Sequence, residues 1–456
     1  MKKLQKKYDL IVIGAGVGLR IANFFANQKK WKVALIEPGP LGGTCLNRGC
    51  VPSKLLIHPA DVIRTIKSAS KLGIDAEIKN IDFKKIIAHA NDYVDGDATN
   101  IEKSVSNNEN IDLYKEYAEF IDDKIIKVGA NKITSEKIVI SAGTRPSTPP
   151  IEGINDIDYL TSAEALRLTT LPKSMLIIGG GYIAVELGHF YGTLCTELTI
   201  IERAERLVSL EDIDISTLIT EVFSDRYNVK IKTEVVRITK ENNEYQITIR
   251  DLANDQEEIL SAEQVLVATG RKPNTDILKM SNTNIKLNKF GYIETNNFLE
   301  TNVAGIWALG DINGTAQFRH TANWEAKHII NFIQGNKDAK ITYEAMPHAI
   351  FTSPQVAGVG LTEDAAKKAG IGYIIKKRPF NTVAMGKAME ENDGFVKFIL
   401  SANQETILGC QIVGPEASIL IHEVIVSMKA SGGKVSAIKN TIHIHPALSE
   451  VVQWAL

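Results

Sequence analysis

The first apolar run, Tyr8 to Ile13, stops at Gly14-Ala15-Gly16-Val17-Gly18. A helical stretch follows from about Leu19 to Gln28, and Lys32 to Ile36 reads as a second strand closed by Glu37. Strand, glycine turn, helix, strand and acid, in that order, make a dinucleotide-binding unit. The order recurs 165 residues later. Ser174 to Ile178 is a strand, Gly179-Gly180-Gly181-Tyr182-Ile183-Ala184 is the turn, Val185 to Leu194 is helical, and Glu197 to Ile201 is a strand closed by Glu202. Two such units predict two nucleotide-binding domains.

Between them the pattern predicts a helical stretch over about Pro52 to Ser106, then strands leading to Ile138-Val139-Ile140-Ser141-Ala142-Gly143. A similar closure, Val265-Leu266-Val267-Ala268-Thr269-Gly270, ends the second unit. After about Tyr343 the pattern changes. Strand-like alternation at Phe395 to Leu400 and Thr406 to Val413, with a helix over about Ala417 to Ser431 and no third glycine-rich turn, predicts an α+β domain.

Composition narrows the function classes. Lys plus Arg is 52 and Asp plus Glu is 54, a balance that argues against a nucleic-acid partner or an anionic membrane. No apolar run reaches the roughly 18 residues of a membrane span. The basic start, Met1 to Lys7, leads into an apolar stretch too short for a signal-peptide core. The expected location is cytoplasmic, or an equivalent reducing compartment. Of the four cysteines, Cys195 and Cys410 are read as packing residues.

The candidate chemistry lies in three places. Glycines let the backbone of the first turn approach a pyrophosphate at a helix N-terminus, and Gly14 and Gly16 fit the usual pattern. The third site holds Leu19, with Gly18 one place early. Glu37 stands where a carboxylate accepts ribose hydroxyls. The second place is Gly42-Gly43-Thr44-Cys45-Leu46-Asn47-Arg48-Gly49-Cys50-Val51-Pro52-Ser53-Lys54. One irregular helical turn brings cysteines five apart within disulfide reach. So small a loop constrains the unfolded chain little, which makes it a poor staple and a good redox pair. Zinc is the competing reading, but the spacing does not match the common sites. The third place is His443-Ile444-His445-Pro446-Ala447-Leu448-Ser449-Glu450. Thiol–disulfide exchange needs a thiolate, a histidine can take the thiol proton, and Glu450 can hold the imidazole tautomer.

Taken together, these residues resemble the pyridine nucleotide–disulfide oxidoreductases over roughly Tyr8 to Glu450. The motifs that carry the resemblance are the cysteine segment, Ala308-Leu309-Gly310-Asp311 and the terminal His-Pro with its following Glu. It implies an α/β fold of two Rossmann-like nucleotide-binding domains, for FAD and NAD, plus an α+β C-terminal dimerisation domain. The expected boundaries are 1–150 for the first FAD piece, 151–271 for the NAD domain, 272–342 for the second FAD or central piece, and 343–456 for the interface domain. A homodimer is implied, with His445 and Glu450 serving the cysteines of the other subunit. Asp311 would bind the flavin's ribityl chain, and Lys54 would lie near flavin N5, paired with Glu186. Gly14, Gly16, Glu37, Gly43, Thr44, Lys54, Gly143 and Asp311 are the expected FAD contacts. Gly179, Gly181, Tyr182, Ile183, Glu202 and Gly270 are those for NAD. No metal is expected.

Glu202 favours NAD, because a carboxylate there accepts the 2′-hydroxyl and repels a 2′-phosphate. Ala184, Tyr182, Arg203 and Arg206 point the other way, towards NADPH-using relatives. Within the family the resemblance is greatest to the branch that oxidises dihydrolipoamide on the lipoyl-carrier protein of a 2-oxo acid dehydrogenase or glycine-cleavage system. The alternative is an NAD(P)H-dependent reductase of a small-thiol disulfide such as mycothione or glutathione. A mercuric-ion reductase is disfavoured, since Val451 to Leu456 carries no cysteine pair. A non-catalytic flavoprotein on this scaffold is disfavoured by the presence of the dithiol, the base and both turns. Ala447, where the family usually has threonine, leaves the local orientation of His445 less secure.

Overall fold

Leu10–Ile13 forms a strand with all four residues buried. That is the pattern of a central strand in a parallel sheet covered on both faces. The computed structural model, which describes residues 6–242, 244–336, 338 and 340–456, divides into two compact units. Of the basic N-terminus, residues 1–5 lie outside the described residues.

The first unit comprises Met1–Ser53, Ala88–Ser147 and Gly270–Thr342. Its five-stranded parallel sheet runs in the order Ile306–Ala308, Ile138–Ile140, Leu10–Ile13, Val33–Ile36, Ile111–Tyr114. The helix Gly18–Gln28 buries Gly18, Ile21, Ala22, Phe25 and Ala26, a three-four spacing that puts one apolar stripe on the sheet. Phe25 is fully buried, and burial of such a side chain contributes about 1.5–3 kcal/mol. The helix packs on the strands Leu10–Ile13 and Val33–Ile36 and on the helix Arg319–Ile333.

The second unit comprises Lys54–Ile87, Thr148–Thr269 and Tyr343–Leu456, so residues 54–87 group with it. It contains a four-stranded parallel sheet in the order Asn228–Lys230, Glu197–Ile201, Ser174–Ile178, Gln264–Val267. It also holds a five-stranded antiparallel sheet in the order Pro347–Ile350, Gln355–Gly360, Ile407–Gly414, Phe395–Ser401, Tyr373–Pro379. The helix Ala417–Ala430 covers that sheet. Val451, Val452 and Leu456 are buried in the same core as Phe398, Cys410 and Val424. The C-terminal residues are thus tied down, which fixes the segment that carries His445 and Glu450.

The helical stretch expected over Pro52 to Ser106 is broken. The helix Cys50–Ser68 ends in a short 3-10 turn, Ala69–Leu72, capped by Gly73 at φ +76. A second helix, Phe83–Ser106, starts where Asp82 accepts a hydrogen bond from the Lys85 amide at 3.0 Å. A left-handed glycine followed by an acidic N-cap stops and restarts a helix whatever the apolar period across it. Among the described residues no helix is long and apolar enough to cross a membrane.

Candidate functional site

The two glycine turns are built alike. Gly14 has φ +97, and a Cβ there would come 2.3 Å from the Ser141 carbonyl oxygen. Gly179 has φ +106, and its Cβ would come 2.6 Å from the Ala268 oxygen. Each turn is therefore pressed against the strand that closes its own sheet, which excludes any side chain. Each acid bonds back to its turn. Glu37 accepts from the Ala15 amide at 2.9 Å and the Gly39 amide at 3.0 Å. Glu202 accepts from the Gly180 amide and, at 2.7 Å, from the Ala204 amide. The helices that follow, Gly18–Gln28 and Tyr182–Thr193, have no side-chain cap at their N-termini. A helix N-terminus without a side-chain cap suits an anion such as a pyrophosphate.

Gly18, out of step with the motif, has a packing reason. A Cβ there would come 2.1 Å from Ser141 Oγ and 2.8 Å from Val12 Cγ1. It serves the close helix-to-sheet contact that the third motif glycine normally provides. In the second turn, a Cβ on Gly181 meets nothing within 4 Å. Ile183 follows Tyr182 in the first turn of the helix. Gly143 and Gly270 have φ +65 and +119, with open space where a Cβ would stand, and both belong to the first unit.

The cysteine segment lies against the first turn. A Cβ on Gly43 would come 2.5 Å from Gly16 Cα, so two bare backbones meet there. Thr44, Cys45 and Asn47 lie in the helix Gly43–Arg48. Asn47 Nδ2 donates to the carbonyls of Pro40, Leu41 and Gly43 at 3.2, 3.0 and 3.0 Å. Its Oδ1 is buried without a hydrogen-bond partner among the described residues. The tight glycine turn at Gly14, the open space beside Gly143 and this orphaned acceptor fit an FAD seated on the first unit. Gly49 separates this helix from the next, which Cys50 opens and which carries Lys54 one turn later. Cys45 is half-buried and Cys50 exposed.

Asp311 lies in the turn Gly310–Asn313 and accepts from Thr144 Oγ1 at 2.9 Å. Arg271 donates from Nε to Thr144 Oγ1 and from Nη2 to the Thr144 carbonyl, both at 2.7 Å. Burial pulls the Arg271 guanidinium below its ordinary value; Asp311 and, more weakly, Cys50 oppose this, and Arg48 adds to it. Glu325, fully buried, accepts from the Gly310 amide at 2.5 Å and from Asn313 Nδ2 at 3.1 Å, which fixes the Asp311 turn.

In the second unit, Lys54 Nζ donates to Glu186 Oε2 at 2.8 Å and Oε1 at 3.0 Å. The Phe351 amide donates to Glu186 Oε1 at 2.9 Å, and the Lys54 ammonium lies 4.4 Å from the Phe351 ring centroid. At the C-terminus, His445 Nδ1 and Glu450 Oε1 are 2.9 Å apart. The His445 side chain is 67% exposed and that of Glu450 5%, so the pair is a solvent-facing imidazole on a buried carboxylate. The His445 hydrogen bond holds the Glu450 carboxyl below the usual carboxylate range. Glu450 Oε2 accepts from the Ala447 amide at 3.2 Å. The local orientation therefore rests on the backbone at position 447, and a hydroxyl there is not needed for it. His443 turns away to Glu423, at 2.8 Å.

Cys410 is buried as expected, and burial pushes its thiol well up. Cys195 is exposed, contrary to the packing role expected from its apolar neighbours. It has φ +77 at the turn after the helix Tyr182–Thr193, which swings its side chain out of the core. Among the described residues no group of three or more His, Cys, Asp or Glu is placed to hold a metal ion. Thr144, Arg271, Glu325 and Phe351 were missed by motif reasoning. The only sequence signal for any of them is that Thr144 and Arg271 follow the two closure glycines, Gly143 and Gly270.

Residues 8–326 match the family model described as pyridine nucleotide-disulphide oxidoreductase, and 346–456 match its dimerisation domain. A mercuric reductase of Staphylococcus aureus is 35% identical over 91% of this chain and 76% of its own length. A dihydrolipoyl dehydrogenase of Geobacillus stearothermophilus is 34% identical over 98% and 95%. A mycothione reductase of Mycobacterium tuberculosis is 32% identical over 98% of both chains. Among solved structures, a Cu(II) complex of the HOCl-induced flavoprotein disulfide reductase RclA from Escherichia coli is 28% identical, covers 98% of both chains and has a TM-score of 0.87. The dimerisation-domain match supports a homodimer, as does exposed apolar surface on that domain at Ile419 (64%), Val426 (62%), Ile442 (96%) and Ile444 (78%). The α/β fold, the FAD-binding and NAD(P)-binding domains and the dimerisation domain agree, and the chain belongs to the pyridine nucleotide–disulphide oxidoreductases, enzymes of the flavoprotein disulfide oxidoreductase class.

Proposed function

We propose that this protein is a dihydrolipoyl dehydrogenase, oxidising dihydrolipoamide on a lipoyl-carrier protein with NAD as the final acceptor, in a reducing compartment such as the cytoplasm. The observation that carries the reading is the His445–Glu450 pair. Nδ1 bonds to the carboxylate at 2.9 Å, which leaves Nε2 on an exposed ring to take a proton. A relative of that name, 34% identical over nearly the whole of both chains, supports the substrate choice.

In this reading His445 of one subunit serves Cys45 and Cys50 of the other. Its Nε2 takes the proton of one substrate thiol. The thiolate attacks Cys45 Sγ, the Cys45–Cys50 bond breaks, and Cys50 leaves as a thiolate. His445 hands its first proton on to the departing Cys45 and takes that of the second substrate thiol, whose thiolate attacks the mixed disulfide. The substrate disulfide closes and Cys45 is released, so the substrate loses two electrons and the cysteine pair gains them. Arg271, with the Asp311–Thr144 network behind it, supplies positive charge towards the Cys50 thiolate. Gly14, Gly16, Glu37, Gly43, Thr44, Gly143 and Asp311 would hold FAD, with Lys54 and Glu186 beside its ring. Bound there, FAD supplies a two-electron carrier between the cysteine pair and the nicotinamide. Gly179, Gly181, Tyr182, Ile183, Glu202 and Gly270 would hold the nicotinamide nucleotide.

Glu202 supports NAD. Of the arginines that tempt an NADP reading, Arg206 Nε donates to Ser216 Oγ at 3.0 Å, while Arg203, 74% exposed, lies 3.5 Å from Glu234 in a surface pair that holds it only weakly. Glu202→Ala is expected to raise the KM for NAD about tenfold and that for NADP much less. This is the loss of roughly 1.4 kcal/mol of ribose bonding. Steady-state KM values for both nucleotides check it, and an unchanged preference overturns the assignment of Glu202.

A second reading, reduction of a small-thiol disulfide, is favoured by Tyr182 at the start of the second nucleotide helix and by the likeness to mycothione reductase. The two separate in one assay pair: NAD reduction by dihydrolipoamide beside NADPH oxidation by low-molecular-weight disulfides. Activity in the first supports the proposal. Failure there with success in the second replaces it.

A further inference from the structure

The residues just before the helix Ile213–Arg226 form no known nucleotide motif, yet each acidic side chain there is committed. Glu211, its side chain 1% exposed, accepts a hydrogen bond from the Tyr182 hydroxyl on one oxygen. On the other it meets His348 Nε2 at 2.7 Å. The Tyr182 and His348 rings stack with 15° between their planes. A Cβ on Gly358 would come 2.5 Å from His348 Cε1, so the glycine leaves room for that ring. The next residue, Asp212, accepts from Lys397 Nζ at 2.8 Å on one oxygen and from the Glu363 amide at 3.0 Å on the other. Lys397, with no side-chain exposure, also meets Glu363 at 2.6 Å and Asp214 at 3.1 Å. Burial alone would push the Lys397 ammonium down; its bonds to Asp212 and Glu363 outweigh that and raise it. A buried cation shared by three carboxylates is costly unless its geometry is kept. Here it locks the backbone at Asp212 and therefore at Glu211.

We propose that Glu211 is a positioning residue of the nicotinamide site, fixing the Tyr182 ring at the mouth of the second glycine turn, and that Lys397 is the buried charge that holds Glu211 in place. Tyr182 is the first residue of the helix that the turn opens, so its ring borders any nucleotide seated there. Glu211 bonds the hydroxyl of that ring, and His348 meets the other oxygen of the same carboxylate. The inference rests on the second turn being the nicotinamide site.

The test uses the FAD-loaded dimer. Glu211→Gln and Tyr182→Phe are each expected to raise the KM for the nicotinamide nucleotide about tenfold, with the KM for the dithiol unchanged. The double variant is expected to be no worse than either single, because the two share one interaction. Lys397→Met can fail to fold, so the anchoring arm is tested with Glu363→Gln, expected to raise the same KM severalfold. A fall in melting temperature with both KM values unchanged, or additive effects in the double variant, overturns the positioning role. An unchanged nucleotide KM in Glu363→Gln overturns the anchoring role. If Glu202→Ala also leaves nucleotide binding untouched, it is the nicotinamide assignment of the turn that fails. If Glu202→Ala acts while Glu211→Gln does not, the inference alone fails.

Discussion

Cys45→Ser is expected to lower dithiol-dependent NAD reduction by about 10⁴-fold or more while leaving FAD bound. The magnitude follows from the chemistry: a serine hydroxyl neither forms a disulfide nor leaves as a stable anion, so no covalent route remains for the electron pair. FAD is expected to stay because nothing that shapes its cradle is touched. The Gly43–Gly16 approach is backbone against backbone, and the loop is held by Asn47 through three carbonyls. Sulfur-to-oxygen exchange at a half-buried position in the helix Gly43–Arg48 changes volume little. Two measurements separate the effects: turnover with dihydrolipoamide, and the visible flavin absorbance of the purified protein. A dye that takes electrons directly from reduced flavin supplies the control, since NADH oxidation by that route does not use the cysteines. Dithiol turnover within tenfold of the parent enzyme would remove Cys45 from the mechanism. Loss of flavin would instead make Cys45 part of the cradle.

That the cradle is separable from the sulfurs was only partly legible in the sequence. Both glycine turns, their closing strands and their acids could be placed from apolar runs together with the glycine spacing and the acid at the strand end, because fully buried parallel strands leave unbroken apolar runs. Gly18 looked like a misplaced motif residue, yet its missing Cβ serves the contact with Ser141 and Val12 that the motif requires. Sequence spacing does not report which side of a helix turn faces the sheet. Cys195 was misread because apolar neighbours imply burial, while a left-handed backbone turns that one side chain out. The break at Gly73 and Asp82 was hidden by an apolar period that continues on both sides of it. The Glu211, Asp212 and Lys397 cluster was beyond reach, since it joins residues up to 185 apart that carry no local pattern. Buried charges are set by tertiary partners, and only the fold brings those together.

The terminal pair was legible as residue types but not as geometry, and the geometry sets the size of the second large effect. His445→Gln is expected to lower dithiol oxidation by about 10²–10⁴-fold, the usual worth of a positioned general base, with the flavin bound and the dye-linked reaction unchanged. Glutamine keeps much of the side-chain volume and can still donate to Glu450, so the segment tied into the core by Val451 and Val452 is expected to stay folded. What it cannot do is hold a proton between the two substrate deprotonations. Glu450→Gln is expected to cost less, about tenfold or more, because the imidazole remains and only the charge that steadies its protonated form is lost. The pH profiles distinguish loss of the base from loss of shape. A general base that must be proton-free to act gives the parent enzyme's rate of dithiol oxidation an acid limb. In His445→Gln that limb is expected to vanish, leaving a slow rate that climbs only with ionisation of the substrate thiols themselves. A variant that kept the acid limb at a reduced rate would place the base on another residue and leave His445 a role in shaping the segment.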